Sequence, residues 1–133
     1  MNMNCLLKKV KIIEPGHKLH GKVRDLWIKD GLIFKIGSSI ETPRNVKVFD
    51  HPGSYISPGW VDVGSYTGEP GFEERETLVN INEAASSGGY TAICCMPNTK
   101  PALHSKSEIH FIQSRSKELN IDIHPIGAIS KNT

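Results

Sequence analysis

From Tyr55 onward the chain alternates apolar runs with helical patterns, and few folds can accommodate that order. "YISPGWVDV" reads as a strand. In "EERETLVNINEAASSGG", Leu78, Ile81, Ala84 and Ala85 fall at helical spacing, and Gly88-Gly89 ends the helix. "YTAICCMPN" is an almost unbroken apolar strand. "SKSEIHFIQSRSKELN" opens with Ser105 and Glu108 in capping-box positions and carries Ile109, Ile112 and Leu119 toward one side, which predicts a second helix. "IDIHPIGAIS" supplies a third strand. Strand, helix, strand, helix, strand with continuously apolar strands predicts an α/β fold: a parallel sheet covered by helices. In such folds functional groups gather at the C-terminal ends of the strands, which here are "VDVGSYTGEPG", "MPNTKP" and "GAISKN".

The preceding residues follow another rhythm. "LLKKVKII", "VRDLWIKDGLIFKIG" and "VKVFD" are short β patterns, and Asp30-Gly31 supports a tight hairpin turn. They predict a small antiparallel sheet, polar on one face. We therefore expect two domains, a small β domain over 1–54 and the α/β segment over 55–133.

Bulk properties narrow the function. Lys plus Arg number 16 and Asp plus Glu 14, and a formal charge of +2 with scattered basic residues gives no argument for nucleic acid or a membrane surface. No apolar run approaches the roughly 20 residues that span a bilayer. The opening "MNMNCLLKKVKII" lacks the basic-then-apolar order of a signal peptide, so the expected location is cytoplasmic. Cys5, Cys94 and Cys95 have no Cys-x-x-Cys spacing and read as small buried hydrophobes. His17, His20, His51, His104, His110 and His124 form no ligand pair. His17 and His20 read as loop histidines, and His124 as a packed strand residue. Glu73, Glu74 and Glu76 suit the positive end of a helix, while Asn98 can serve either a turn or a ligand.

Taken together, "SPGWVDV", "GEPG", "EAASSGGYTAICCMPNTKP" and "IDIHPIGAIS" resemble the dihydroorotases of the cyclic amidohydrolase superfamily, especially the multifunctional-complex type. The resemblance covers essentially the whole chain. It implies a small β-sandwich-like domain followed by the first three βα units of a TIM-type barrel, a place in pyrimidine biosynthesis, and zinc in intact members. That family's pattern is Pro-Gly-x-x-Asp-x-His-x-His-x-Arg-x-Pro-Gly, and residues 58–71 keep its frame without its contents. Gly64 and Tyr66 stand at the two histidine positions and Gly68 at the arginine position. Histidines two apart on a strand share one side and can ligate one zinc, which then generates hydroxide near neutral pH. Glycine offers no donor and tyrosine only a phenol. Asn98 matches the family's second contact to the substrate carboxylate, and the resemblance places the remaining ligands on later strands.

Several expectations follow. No catalytic residue and no metal ligand is assigned in this chain, Asn98 is the substrate-binding candidate, and the Tyr66 ring fills the space a metal would vacate. Three strands do not close a barrel of eight, so we expect either the N-terminal portion of a longer protein or a partner that covers the open edge, such as another copy or an aspartate transcarbamoylase-like subunit. The expected function is that of a dihydroorotase-like protein without hydrolase activity of its own. The alternative is an active zinc-dependent cyclic amide hydrolase that converts dihydroorotate to N-carbamoyl-aspartate with ligands outside these residues.

Overall fold

A computed structural model describes residues 3–130. The chain divides into two compact units, one through Pro58 and one from Gly59. Lys131 and Asn132, part of the third strand-end segment, lie outside the described residues.

The first unit contains β1 (Cys5–Ile12), β2 (Val23–Lys29), β3 (Leu32–Gly37), β4 (Lys47–Asp50) and β5 (Tyr55–Ile56). The hairpin β2–β3 turns at Asp30-Gly31 as its sequence predicts, with both residues at positive φ. The strands form one sheet in the order β3-β2-β1-β4, with β5 also on β1. β1 is antiparallel to β2 but parallel to β4 and β5. The sheet is thus mixed and single, not antiparallel or sandwich-like as expected. Period-two patterning reports which face a side chain takes; it carries no information on the direction of the neighbouring strand.

Val10, Ile12 and Leu26 form this unit's core, with Leu7, Leu19 and Ile56 packed against it. Asp25 is also buried, only 3% exposed. Its two oxygens accept the backbone N–H groups of Lys9 and Ile40, each at 2.9 Å. The Lys8 ammonium lies 3.3 Å from the same carboxylate. Burial alone would raise this carboxyl; the two backbone donors and Lys8 outweigh it and hold the group below its ordinary value. Because Lys9 sits in the β1 bulge and Ile40 beyond β3, one carboxylate fixes a bulge and a loop together.

The second unit contains β6 (Trp60–Ser65), α1 (Leu78–Ser87), β7 (Tyr90–Cys95), α2 (Lys106–Ser116) and β8 (Asp122–Pro125). β6, β7 and β8 are parallel, in that order, as the alternation predicts. The stretch "YISPGWVDV", expected as one strand, is two: Tyr55–Ile56 pairs in the first sheet and Trp60–Ser65 in the second. Ser57-Pro58-Gly59 separates them, and proline cannot continue a ladder.

Leu78, Ile93, Cys95, Leu103, Ile112, Ile121 and Ile123 form the core under the helices, with Ile81, Ala85, Ile109 and Leu119 against it. Asn82, buried among them, accepts the backbone N–H groups of Asn120 at 2.8 Å and Ile121 at 3.2 Å. α2 begins as expected, with the Ser105 N–H donating to Glu108 Oε2 at 2.9 Å. The Ser105 hydroxyl and that N–H also hold the Glu108 carboxyl below its usual range.

α1 starts later than its sequence suggests. Thr77 is the N-cap and accepts the Asn80 N–H at 3.2 Å, so Glu73, Glu74 and Glu76 precede the helix and none lies in its first turn. The expected dipole role therefore does not hold for them. Glu69 takes it, accepting the Leu78 N–H at 2.9 Å.

Candidate functional site

The end of β6 departs from a regular strand where the motif begins. Val63 pairs with Cys94 and Ser65 with Cys95, which leaves Gly64 as an extra residue between them. Its φ of +114° is open to glycine and strained for other residues. The bulge breaks the regular alternation of the strand at this point. Beyond it, the Ser65 hydroxyl donates to Asp62 Oδ2 at 2.7 Å, and the Ser65 carbonyl accepts the Met96 N–H at 2.9 Å.

Tyr66 is not enclosed: the residue is 64% exposed. Thr67, fully buried, donates its hydroxyl to the Glu69 carbonyl at 3.3 Å. Gly68 has φ +69°, and a Cβ there would lie 2.5 Å from the Glu76 carbonyl oxygen and 2.9 Å from that of Phe72. A compact turn packs against that bare Cα. The Phe72 N–H donates to the Gly68 carbonyl, and the Arg75 N–H to the Phe72 carbonyl, both at 3.0 Å.

After β7 the chain turns through Pro97 to Pro101. Thr99 is buried and donates to the Pro101 carbonyl at 2.8 Å, while the Lys100 N–H reaches the Pro70 carbonyl at 2.9 Å. This last bond ties the loop after β7 to the loop after β6. Between them lies an open hollow of about 180 Å³, lined by Tyr66, Gly68, Arg75, Glu76 and Asn98. Three positions singled out in the sequence, 66, 68 and 98, thus come together. Tyr66 also joins Gly64 in lining a larger, shallower hollow of about 430 Å³, together with Asp62 and with Ile81 and Ala84 of α1.

Arg75 was missed by sequence reasoning, hidden in the acidic run "EERET". Its guanidinium stands 5.5 Å from the centre of the Phe72 ring. A lone cation inside an acidic cluster, just past a glycine-rich turn, was the available signal. Glu73 has a local duty, accepting the Gly71 N–H at 2.8 Å; that bond holds its carboxyl below the usual range.

Among the described residues no group of three or more His, Cys, Asp or Glu side chains could hold a metal ion. His17 and His20 serve their loop, each accepting a backbone N–H through Nδ1, from Leu19 at 3.3 Å and Glu14 at 3.1 Å. His124 is exposed on β8 rather than packed, and His51 and His110 are also exposed. His104 Nδ1 is 2.9 Å from the Ala102 carbonyl. Cys5 and Cys95 are buried as expected, Cys94 only half so. Burial pushes the Cys95 thiol up to about 11, far from a reactive thiolate.

Comparison with known proteins adds lineage. A family model described as dihydro-orotase-like matches residues 53–132. The dihydroorotase of Solibacter usitatus is 38% identical over 133 residues, covering 98% of this chain and 30% of that protein. That of Caldicellulosiruptor saccharolyticus is 38% identical over 130 residues, covering 95% and 30%. Among solved structures, an L-hydantoinase (dihydropyrimidinase) from Arthrobacter aurescens superposes with TM-score 0.80 at 20% identity, covering 94% of this chain and 28% of the other. A crystal structure of a dihydroorotase gives TM-score 0.68 at 21% identity, covering 93% and 31%. The chain spans about 30% of the length of the curated relatives it matches.

Proposed function

The chain belongs to the dihydro-orotase-like family, and from that premise we propose that it is a non-catalytic member of pyrimidine biosynthesis, with its second unit corresponding to the first three βα units of an amidohydrolase barrel. The observation that carries this reading is the end of β6. Gly64 supplies no donor and occupies a bulge at φ +114°, and Tyr66 offers only an exposed phenol. Zinc requires imidazole, thiolate or carboxylate at close to tetrahedral positions. The residues present do not fit it.

Without a metal-generated hydroxide, the amide carbonyl of a cyclic substrate has no nucleophile among these side chains. What remains is a framed, solvent-open hollow suited to recognition. A supporting role follows, with a second copy or an aspartate transcarbamoylase-like subunit as partner and the cytoplasm as its location. Among the described residues no helix is long and apolar enough to cross a membrane.

The test is metal content and turnover in one preparation. Protein dialysed against zinc and then desalted should retain well under one equivalent, and opening of the dihydroorotate ring should stay at the level of buffer. The Gly64→His, Tyr66→His double variant should gain no tight zinc site, since a histidine at position 64 would be strained at φ +114°. Stoichiometric zinc together with chelator-sensitive ring opening would overturn the proposal in favour of an active hydrolase with ligands outside the described residues.

A further inference from the structure

The core under the helices uses one face of the β6-β7-β8 sheet, and the other face carries a pair of side chains that nothing described above employs. Ile93, Cys95 and Ile123 belong to that core. Alternation along the strands therefore sends Ala92, Cys94, Asp122 and His124 to the opposite face. The parallel register sets them in two rows, with Val61, Ala92 and Asp122 in one and Val63, Cys94 and His124 in the next. Val61 and Val63 are 55% and 77% exposed, so this face is open to solvent.

Cys94 and His124 are thus direct neighbours on adjoining strands, whose backbones run about 4.8 Å apart. Cys94 is a free, half-buried thiol, and His124 is exposed. Among the described residues neither side chain is held by a hydrogen bond or an ion pair. Rotation about the His124 Cα–Cβ bond is therefore free to bring a ring nitrogen to the sulfur. An imidazole beside a thiol turns cysteine into a nucleophile, because the ring accepts the proton that the thiol must lose.

The other two cysteines lack this setting. Cys5 is 5% exposed, and Cys95 lies on the core face, where burial pushes its thiol up to about 11. The charged and titratable groups around the pair are few. Asp122 shares the face of His124, two residues away on β8. His110 and Lys117 of α2 border a hollow of about 470 Å³ that Asp122 and His124 also line. On the β6 side the neighbour of Cys94 is Val63, which carries no charge.

We propose that Cys94 is a thiol-modification site that takes up a small-molecule disulfide, such as glutathione disulfide, with His124 as the base. The Cys94 proton passes to a His124 ring nitrogen, and the thiolate attacks one sulfur of the disulfide. The S–S bond of that molecule breaks as the new S–S bond to Cys94 forms. The second sulfur leaves as a thiolate and takes the proton back from the imidazolium, so one thiol is released and the histidine is restored. Cys94 is oxidised, the incoming disulfide is reduced, and no other reactant enters.

The experiment treats the whole chain with glutathione disulfide and locates the adduct over time by peptide mass mapping. At about pH 7, Cys94 should be modified at least tenfold faster than Cys5 or Cys95. It should also outpace N-acetylcysteine although it is half-buried, a comparison that needs no variant. His124→Gln should slow the Cys94 reaction about tenfold at about pH 7 and leave it unchanged at about pH 10, where a thiol ionises without a base. A histidine that only shaped the surface would alter both rates alike. Cys5 and Cys95 remaining unmodified in the variant verifies its fold. First modification at another cysteine, a Cys94 rate below that of N-acetylcysteine, or an unchanged rate at about pH 7 in His124→Gln overturns the proposal.

Discussion

Asp25 in the first sheet and Arg75 at the end of the second are both charged, yet Asp25 is surrounded by partners while Arg75 has no ion pair among the described residues. Asp25 is buried and accepts two backbone N–H groups beside an ammonium. Arg75 lies on an exposed turn beside an open hollow. A buried charge with every acceptor occupied fixes backbone, and its removal leaves uncompensated groups. An exposed charge with free donors contributes little to folding and remains available to a ligand. The same contrast holds for amides: Asn82 is buried and doubly engaged, Asn98 exposed and free.

The largest expected effect is from Asp25→Ala, which strands two backbone donors and the Lys8 ammonium. It should cost about 3 kcal/mol, read from the urea midpoint, with backbone amides of β1 and β2 losing protection first. If it costs no more than a surface substitution, the carboxylate does not hold the first sheet. The pH dependence sharpens the point. Asp25 has a folded value below its unfolded value near 3.8, so its contribution is complete above that pH and is lost as pH falls through the folded value. Wild-type stability should therefore decline on the acid side, and the Ala variant should lack that portion of the slope.

Next in size is Asn82→Ala, which leaves the buried Ile121 N–H without an acceptor, removes the bond to the Asn120 N–H, and should cost about 2 kcal/mol in the same assay. Glu69→Gln keeps an acceptor for the Leu78 N–H but removes the charge at the start of α1. Its expected cost is about 0.5 kcal/mol, visible as earlier amide exchange in the first turn of α1. A cost as large as that of Asp25→Ala would mean that the second unit also depends on a single carboxylate.

How much of this was legible in the sequence differs between the units for a physical reason. The three parallel strands and two helices were visible because the burial of Leu78, Ile93, Ile112 and Ile123 imposes apolar runs and helical spacing that any sequence must display. The direction of β4 and β5 was not, because pairing direction depends on where a connection returns. The late start of α1 was obscured because "EERET" has good helix formers that the turn beyond Gly68 uses instead. The bulge at Gly64 was invisible for a related reason: its glycine was read as a missing side chain, whereas its backbone angle is the larger fact. The site was legible as positions 66, 68 and 98, and Arg75 was not, since a residue on a turn reaches a hollow by backbone path rather than by spacing.

The Asn82 amide has one more consequence. Hydrophobic contact alone would tolerate β8 sliding two residues along β7, because every side chain would return to its original face. Only one alignment brings the Asn120 and Ile121 N–H groups to the same amide oxygen. A single polar atom in the core therefore acts as a registration mark, and removing it should increase the number of ways the last strand can dock as well as weaken the one observed.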